Sequence, residues 1–212
     1  MTSLSRRAFA TAATAAAAAL LAGCGGHQAG NAATVRPRSA SPSARPAAKT
    51  AKAAKTVQAL ERSVPVRLQI PAIGVDTPVM QLGLAADGTV EVPPITAHDR
   101  AGWYRNSPTP GQTGPSVILA HVTVGRYGDG VFRDLARLRQ GDRITARLED
   151  GAVPEFTVTA VRTVAKSDFP TDAVYGDVDR PELRLITCGG PRKGSGYLDN
   201  VIVFAALTST SS

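Results

Sequence analysis

From Val66 to Leu207 the chain is a succession of short runs rich in valine, isoleucine and threonine, cut apart by glycine, proline and aspartate. The runs are VRLQI (66–70), TPVMQLGL (77–84), TVEVP (89–93), SVILAH (116–121), DRITARLE (142–149), EFTVTAVRTV (155–164), ELRLITC (182–188) and NVIVFAAL (200–207). β-Branched residues suit a pleated, half-buried surface, and the breakers between them mark turns. In 155–164, Phe156, Val158 and Ala160 alternate with Thr157, Thr159 and Thr163, the period of a strand with one wet face. One piece is helical in pattern: in VFRDLARLR (131–139), Val131, Leu135 and Leu138 share a face and Gly141 stops it. A shorter turn is expected at Thr171 in PTDAVYG, with the threonine hydroxyl as its cap. Eight strands and one or two short helices predict a mainly β domain, a closed or nearly closed eight-stranded barrel. Its span, residues 61–208, suffices for one core, and no internal repeat is present. Residues 209–212 are expected to be a disordered tail.

The N-terminal stretch has a different character. Arg6 and Arg7 precede the alanine-rich run TAATAAAAALLAG, which closes on LAGC. A charged start, an apolar core and small residues at a cleavage site make residues 1–23 a signal peptide of twin-arginine type. LAGC resembles the lipobox of bacterial lipoproteins, which makes Cys24 the expected lipidation site; an uncleaved signal anchor is the alternative. Either way the domain lies on the outer face of the cytoplasmic membrane. Residues 24–60 are rich in Ala, Pro, Ser and Lys and poor in large apolar side chains, so they read as a flexible tether.

The tether also explains the charge. Residues 1–60 hold eight of the 24 basic side chains and none of the 17 acidic ones, which leaves 16 basic against 17 acidic in the domain. The net +7 therefore suits an anionic membrane or wall polymer beneath the tether, and nucleic acid is not implied.

Two cysteines are present, and if Cys24 carries lipid then Cys188 has no disulfide partner. A lone exported thiol is open to oxidation, so it is either buried and inert or a nucleophile. Of three histidines, His27 lies in the tether and His98 in a proline-flanked loop, where it reads as a surface residue. His121 ends SVILAH before a glycine-rich loop, as Cys188 ends ELRLITC before Gly189 and Gly190. Two strands that each stop on a reactive residue can place both on one rim of a barrel. Thiol and imidazole there would supply a nucleophile and a proton donor. Three scattered histidines and no acidic cluster make no metal-ligand set, and no cofactor is expected.

AGWYRNSPTPGQTGPSVILAHV, FRDLARLRQGDRI, FPTDAVYG and PELRLITCGG…YLDNVIVFA together resemble the sortase family, specifically its actinobacterial class F branch. The likeness runs in order from Arg67 to Ala205. It implies a cysteine transpeptidase that cuts an LPXTG-like sorting signal between Thr and Gly. Cys188 would form a thioacyl intermediate and His121 would protonate the departing amine. The implied partners are proteins with a C-terminal sorting signal and an amine acceptor, either a cell-wall precursor or a pilin lysine, with water as the default. The resemblance also assigns Thr187, Phe169 and Val174 to substrate binding. A thiol of ordinary acidity is a small fraction thiolate near neutral pH, yet that fraction is a strong nucleophile.

Two positions depart from the family. Sortases carry an arginine on the strand after the cysteine, but here VIVFA is preceded by Asn200, with Leu198 two positions earlier. Asn200 could donate a neutral amide hydrogen bond to an oxyanion. Arg192, Arg126 and Arg184 are the other candidates, the last four residues before Cys188 on the same face. Thr123 stands where relatives place an aspartate, and would orient the imidazole less strongly. Trp103 and Tyr104 are expected to pack in the core, with lining of the substrate groove as the alternative. Among other exported cysteine acyl-transferases, L,D-transpeptidases need a histidine beside the cysteine, and papain-like hydrolases place Cys before His. Neither pattern is present. The alternative outside enzymology is a catalytically inert sortase-fold peptide-binding or cell-wall scaffold.

Overall fold

The computed structural model describes residues 57–212 apart from residue 195. The signal peptide, Cys24 and the tether up to residue 56 lie outside the described residues. The eight strands are β1 (Pro65–Ile70), β2 (Val75–Leu82), β3 (Ala101–Tyr104), β4 (Gly114–Leu119), β5 (Arg143–Leu148), β6 (Val153–Ala165), β7 (Pro181–Lys193) and β8 (Gly196–Ser211). One five-residue helix, α1 (Thr171–Tyr175), precedes β7. The strands close in the order β1-β2-β3-β4-β7-β8-β6-β5, with β5 returning to β1. Closure leaves no unpaired edge. The expected closed eight-stranded barrel is the observed fold. Among the described residues no helix is long and apolar enough to cross a membrane.

Two pairs are parallel, β2 with β3 and β4 with β7; the others are antiparallel. A parallel pair needs a crossover. Residues 83–100 supply the first as a long strap, and residues 120–180 the second, which itself contains β5, β6 and α1.

Alternation along the strands sorts side chains into two clusters. Leu183 and Leu185 of β7 and Val201, Val203 and Ala205 of β8 fill the barrel with Leu68, Ile70, Trp103, Ile144 and Phe156. Ile186 and Ile202 point outward and pack with Val117 of β4 and Val174 of α1, roofed by Phe169 and Tyr175. This second cluster explains why Pro181 to Thr187 is buried without interruption: both faces of β7 are covered. Trp103 is fully buried and donates its indole N–H to the Pro108 carbonyl at 3.1 Å, as a core tryptophan should.

Several local expectations fail for identifiable reasons. Residues 131–139 form no α-helix; successive turns end in a single 3-10 turn at Leu135–Arg137. Its bonds run three residues back, from Leu135 to Phe132 and from Leu138 to Leu135. At three residues per turn, Phe132, Leu135 and Leu138 eclipse one another, and all three are buried. TVEVP is not a strand; only an isolated bridge joins Leu84 to Val90, and the segment belongs to the strap. Strand β3 lies instead in AGWY, too short to show a period. Thr171 does not cap α1, whose N-cap position is Pro170 with no side-chain bond. The folded unit also reaches beyond its expected ends. Leu60 N–H bonds the Gly111 carbonyl at 2.8 Å, and β8 pairs with β6 as far as Ser211. Residues 209–211 of the expected tail are thus strand.

Candidate active site

The parallel pairing of β4 and β7 builds the site. Leu119 lies opposite Ile186, so the residues that follow each strand position emerge at the same end of the barrel. The ladder continues for one more rung, with Ala120 N–H donating to the Ile186 carbonyl at 3.2 Å. Thr187 is buried, and its hydroxyl donates to the Ala120 carbonyl at 2.7 Å. These two bonds fix His121 beside Cys188. Thr187 therefore acts in the wall between the strands.

Cys188 does not end its strand. β7 runs on to Lys193, with a register shift between Gly189 and Arg192. The two glycines are explained by what crosses them. A Cβ on Gly189 would come within 2.6 Å of a Val201 methyl, and one on Gly190 would overlap the Asp199 carboxylate. Gly190 also sits at φ +70, a conformation few side chains tolerate.

Cys188 is a half-buried free thiol directly opposite Asn200 on β8. Residues so paired present their side chains on the same sheet face, within about 5.5 Å at Cβ. A cleft of about 180 Å³ holds Cys188, His121 and Asn200, with Leu119 and Ile186 as its floor and Val92 and Pro93 of the strap as its cover. His121 Nε2 lies 2.6 Å from the Pro93 carbonyl. A carbonyl only accepts, so Nε2 carries the hydrogen.

The other arginine candidates stay outside the cleft. Arg184 is buried and paired with Glu182 at 2.5 Å, four residues or about 13 Å along β7 from the thiol. Arg126 is exposed and lies over the Tyr127 ring at 5.1 Å. Arg192 is exposed beyond the bulge, 5.3 Å over the Tyr197 ring. Asn200 is the one candidate that lines the cleft. Thr123 does not reach the imidazole; its hydroxyl meets Tyr197 Oη at 3.3 Å. His98, expected at the surface, is half-buried and stacks on Tyr127 at 4.6 Å, joining the strap to the loop after His121.

A second, larger groove of about 650 Å³ is lined by Val117 of β4, two residues before Leu119 of the cleft and on the same strand face. Tyr104, Phe169 and Tyr175 wall it, with Leu84 and Val90 of the strap opposite. Burial, with the neighbouring Tyr104 hydroxyl adding to it, pushes the Tyr175 phenol above its usual range. Phe169 lines this groove, but Val174 is fully buried beneath it and has no surface to offer a ligand. Tyr104 takes the alternative reading and is half-buried in the groove wall, while Trp103 is in the core. The strap residues Val90, Val92 and Pro93 had no signal beyond a pattern that mimics a strand.

A thiol, an imidazole and a carboxamide are thus grouped in one cleft at the barrel rim. The Sortase domain family model matches residues 68–208. No curated protein matches the chain. Among solved structures the chain is similar to the SrtA sortase from Actinomyces oris, at 23% identity and TM-score 0.53 over 76% of this chain and 89% of that one. Sortase A of Listeria monocytogenes is 18% identical, with TM-score 0.52 over 71% of this chain and 90% of the other. A lid mutant of sortase A from Corynebacterium diphtheriae is 21% identical, with TM-score 0.53 over 71% and 73%. With a domain match across most of its strands, a shared fold, and a thiol and an imidazole at one rim, the chain belongs to the sortase family of cysteine transpeptidases.

Proposed function

We propose that this sortase cleaves an LPXTG-like sorting signal between Thr and Gly and transfers the acyl fragment to an amine, as a class F enzyme anchored outside the cytoplasmic membrane through Cys24 or an uncleaved signal. The observation that carries the proposal is the common cleft of Cys188, His121 and Asn200. The peptide lies along β4, its apolar residues against Tyr104, Phe169 and Tyr175, and its threonine carbonyl reaches the thiol. Cys188 thiolate attacks that carbonyl carbon, and the Asn200 amide donates to the oxygen as it gains charge. His121 gives its proton to the glycine nitrogen, the C–N bond breaks, and a thioester remains. An amine, from a wall precursor or a pilin lysine, then takes the acyl group; water takes it by default. Before any of this, the imidazole N–H must leave the Pro93 carbonyl or a second ring proton must face the substrate.

The lack of an arginine in the cleft supports one rival, a peptide-binding or wall scaffold with an idle thiol. Mass spectrometry of the purified protein with a library of LPXTG-like peptides separates the two. A thioacyl adduct absent in Cys188→Ala, with cleavage also lost in His121→Ala, is the expected result. No adduct with any peptide, and a thiol that labels only after unfolding, would favour the scaffold.

A further inference from the structure

The large groove and the cleft abut along two walls. On β4, Val117 lines the groove and Leu119 the cleft; on the strap, Val90 lines the groove and Val92 the cleft. Each step is two residues, at most about 7 Å of chain, so one extended peptide can occupy both. The groove's other end is marked by Pro115, at the start of β4, and by Asp177, in the turn between α1 and β7. These two segments meet there: Gly114 N–H donates to the Arg180 carbonyl at 3.1 Å, just before β7 begins. Among the described residues that line the groove, Asp177 alone is charged. It is exposed, and among the described residues it makes no ion pair. The arginine of its own turn, Arg180, is taken by Asp179 at 3.6 Å and by Glu182 at 2.6 Å.

We propose that Asp177 selects a lysine or arginine upstream of the sorting motif, so that the preferred substrates are proteins with a basic residue ahead of it. The inference rests on the transpeptidase reading above and adds to it a specificity subsite outside the five motif residues. Strand register gives the position read. Pro115 stands opposite Glu182, six residues or about 20 Å before Cys188. An extended peptide whose threonine carbonyl meets the thiol covers that distance in about six residues, and the motif's leucine is the third of them. Asp177 therefore meets the third residue ahead of the leucine. A lysine or arginine there lays its methylene stem on the groove's apolar wall while its charge meets the carboxylate. A glutamate at the same place meets a like charge, and among the described residues no cation lines the groove to offset it. The contact lies far from the scissile bond and is the same in the bound peptide and in the transition state, so it acts through KM.

The test takes one LPXTG-like peptide in three versions, with lysine, glutamine or glutamate third ahead of the leucine, and measures kcat/KM for acylation of Cys188. In the wild type at about 0.1 M salt the order should be lysine, glutamine, glutamate, with about fivefold between the ends and the difference carried by KM. Salt near about 1 M, where the Debye length is about 3 Å, should nearly abolish the difference. Asp177→Asn should level the three peptides. Asp177→Lys should invert their order, an inversion that loss of folding cannot produce. Equal rates for the three peptides in the wild type, or a lysine preference that survives in Asp177→Lys, overturns the role of Asp177 while the transpeptidase reading stands. Acylation by none of the peptides overturns both.

Discussion

Replacing Glu182 by glutamine should destabilise the barrel severely without touching the chemistry. Glu182 bridges two arginines: Arg184 at 2.5 Å and Arg180 at 2.6 Å. The Arg184 side chain is only 4% exposed and lies 4.6 Å from the centre of the Phe204 ring, and its Nε–H donates to the Ala173 carbonyl of α1. Removing the carboxylate's charge leaves a guanidinium buried without a counter-ion, a change that costs about 3–5 kcal/mol. The glutamine oxygen still accepts one bond and Ala173 still helps, so about 3 kcal/mol is the expected loss. For a domain of this size that lowers Tm by about 6–12 °C. Arg184→Met should cost less, about 1–2 kcal/mol, because Glu182 keeps Arg180 at the molecule's edge. The double variant should recover most of the Glu182→Gln loss, since no charge is then stranded. Urea melts followed by circular dichroism close the cycle, and peptide cleavage at a temperature where all variants are folded should be unaffected. A loss below about 1 kcal/mol in Glu182→Gln would refute the burial argument. An Arg184→Met protein that melts normally but no longer acylates Cys188 would return Arg184 to the catalytic set.

Asn200→Ala should lower the acylation rate by about 10²–10³, as loss of an oxyanion donor does, while Arg192→Ala changes it little; stopped-flow acylation of the two variants compares them directly. The Tyr175 phenol is held above its usual range, so the fold favours the protonated form: that contribution is complete below the unfolded value of about 10 and is lost as pH rises through the higher folded value. Melts taken between about pH 9 and pH 11 should therefore show a steeper alkaline loss in the wild type than in Tyr175→Phe.

What the sequence revealed, and what it hid, follows from the range of each interaction. Alternation along single strands is local, so seven of the eight strands and the barrel were legible; AGWY, four residues long, carried too little pattern. Cys188 and His121 stood out as reactive residues at strand ends, and Asn200 by its place before VIVFA. The neighbours of that trio come from across the fold. Pro93 meets His121 over 28 residues of chain, and Tyr197 meets Thr123 over 74. Val90 and Val92 read as strand because β-branched residues also suit a strap that lies against an apolar groove. Arg184 shared the face of Cys188 and looked available; only the fold reveals Glu182 and Phe204 beside it. The α-helical reading groups Val131 with Leu135 and Leu138; at three residues per turn the buried partner is Phe132 instead, and a spacing of three between Leu135 and Leu138 suits either helix type.

The two halves of the site belong to regions of different cooperativity. Cys188 sits in a strand bonded on both sides, to β4 just below it and to the long β8, and its backbone can open only by disturbing the sheet itself. His121 sits just past the end of β4, in a loop secured by a few bonds, among them Phe132 N–H to its carbonyl and the strap's Pro93 to its ring. Local opening can thus release the proton donor and the strap together at modest free-energy cost, with the nucleophile still in register. The sheet supplies a fixed point of attack, and the loops supply the freedom to admit a peptide, close on it and let a second substrate in.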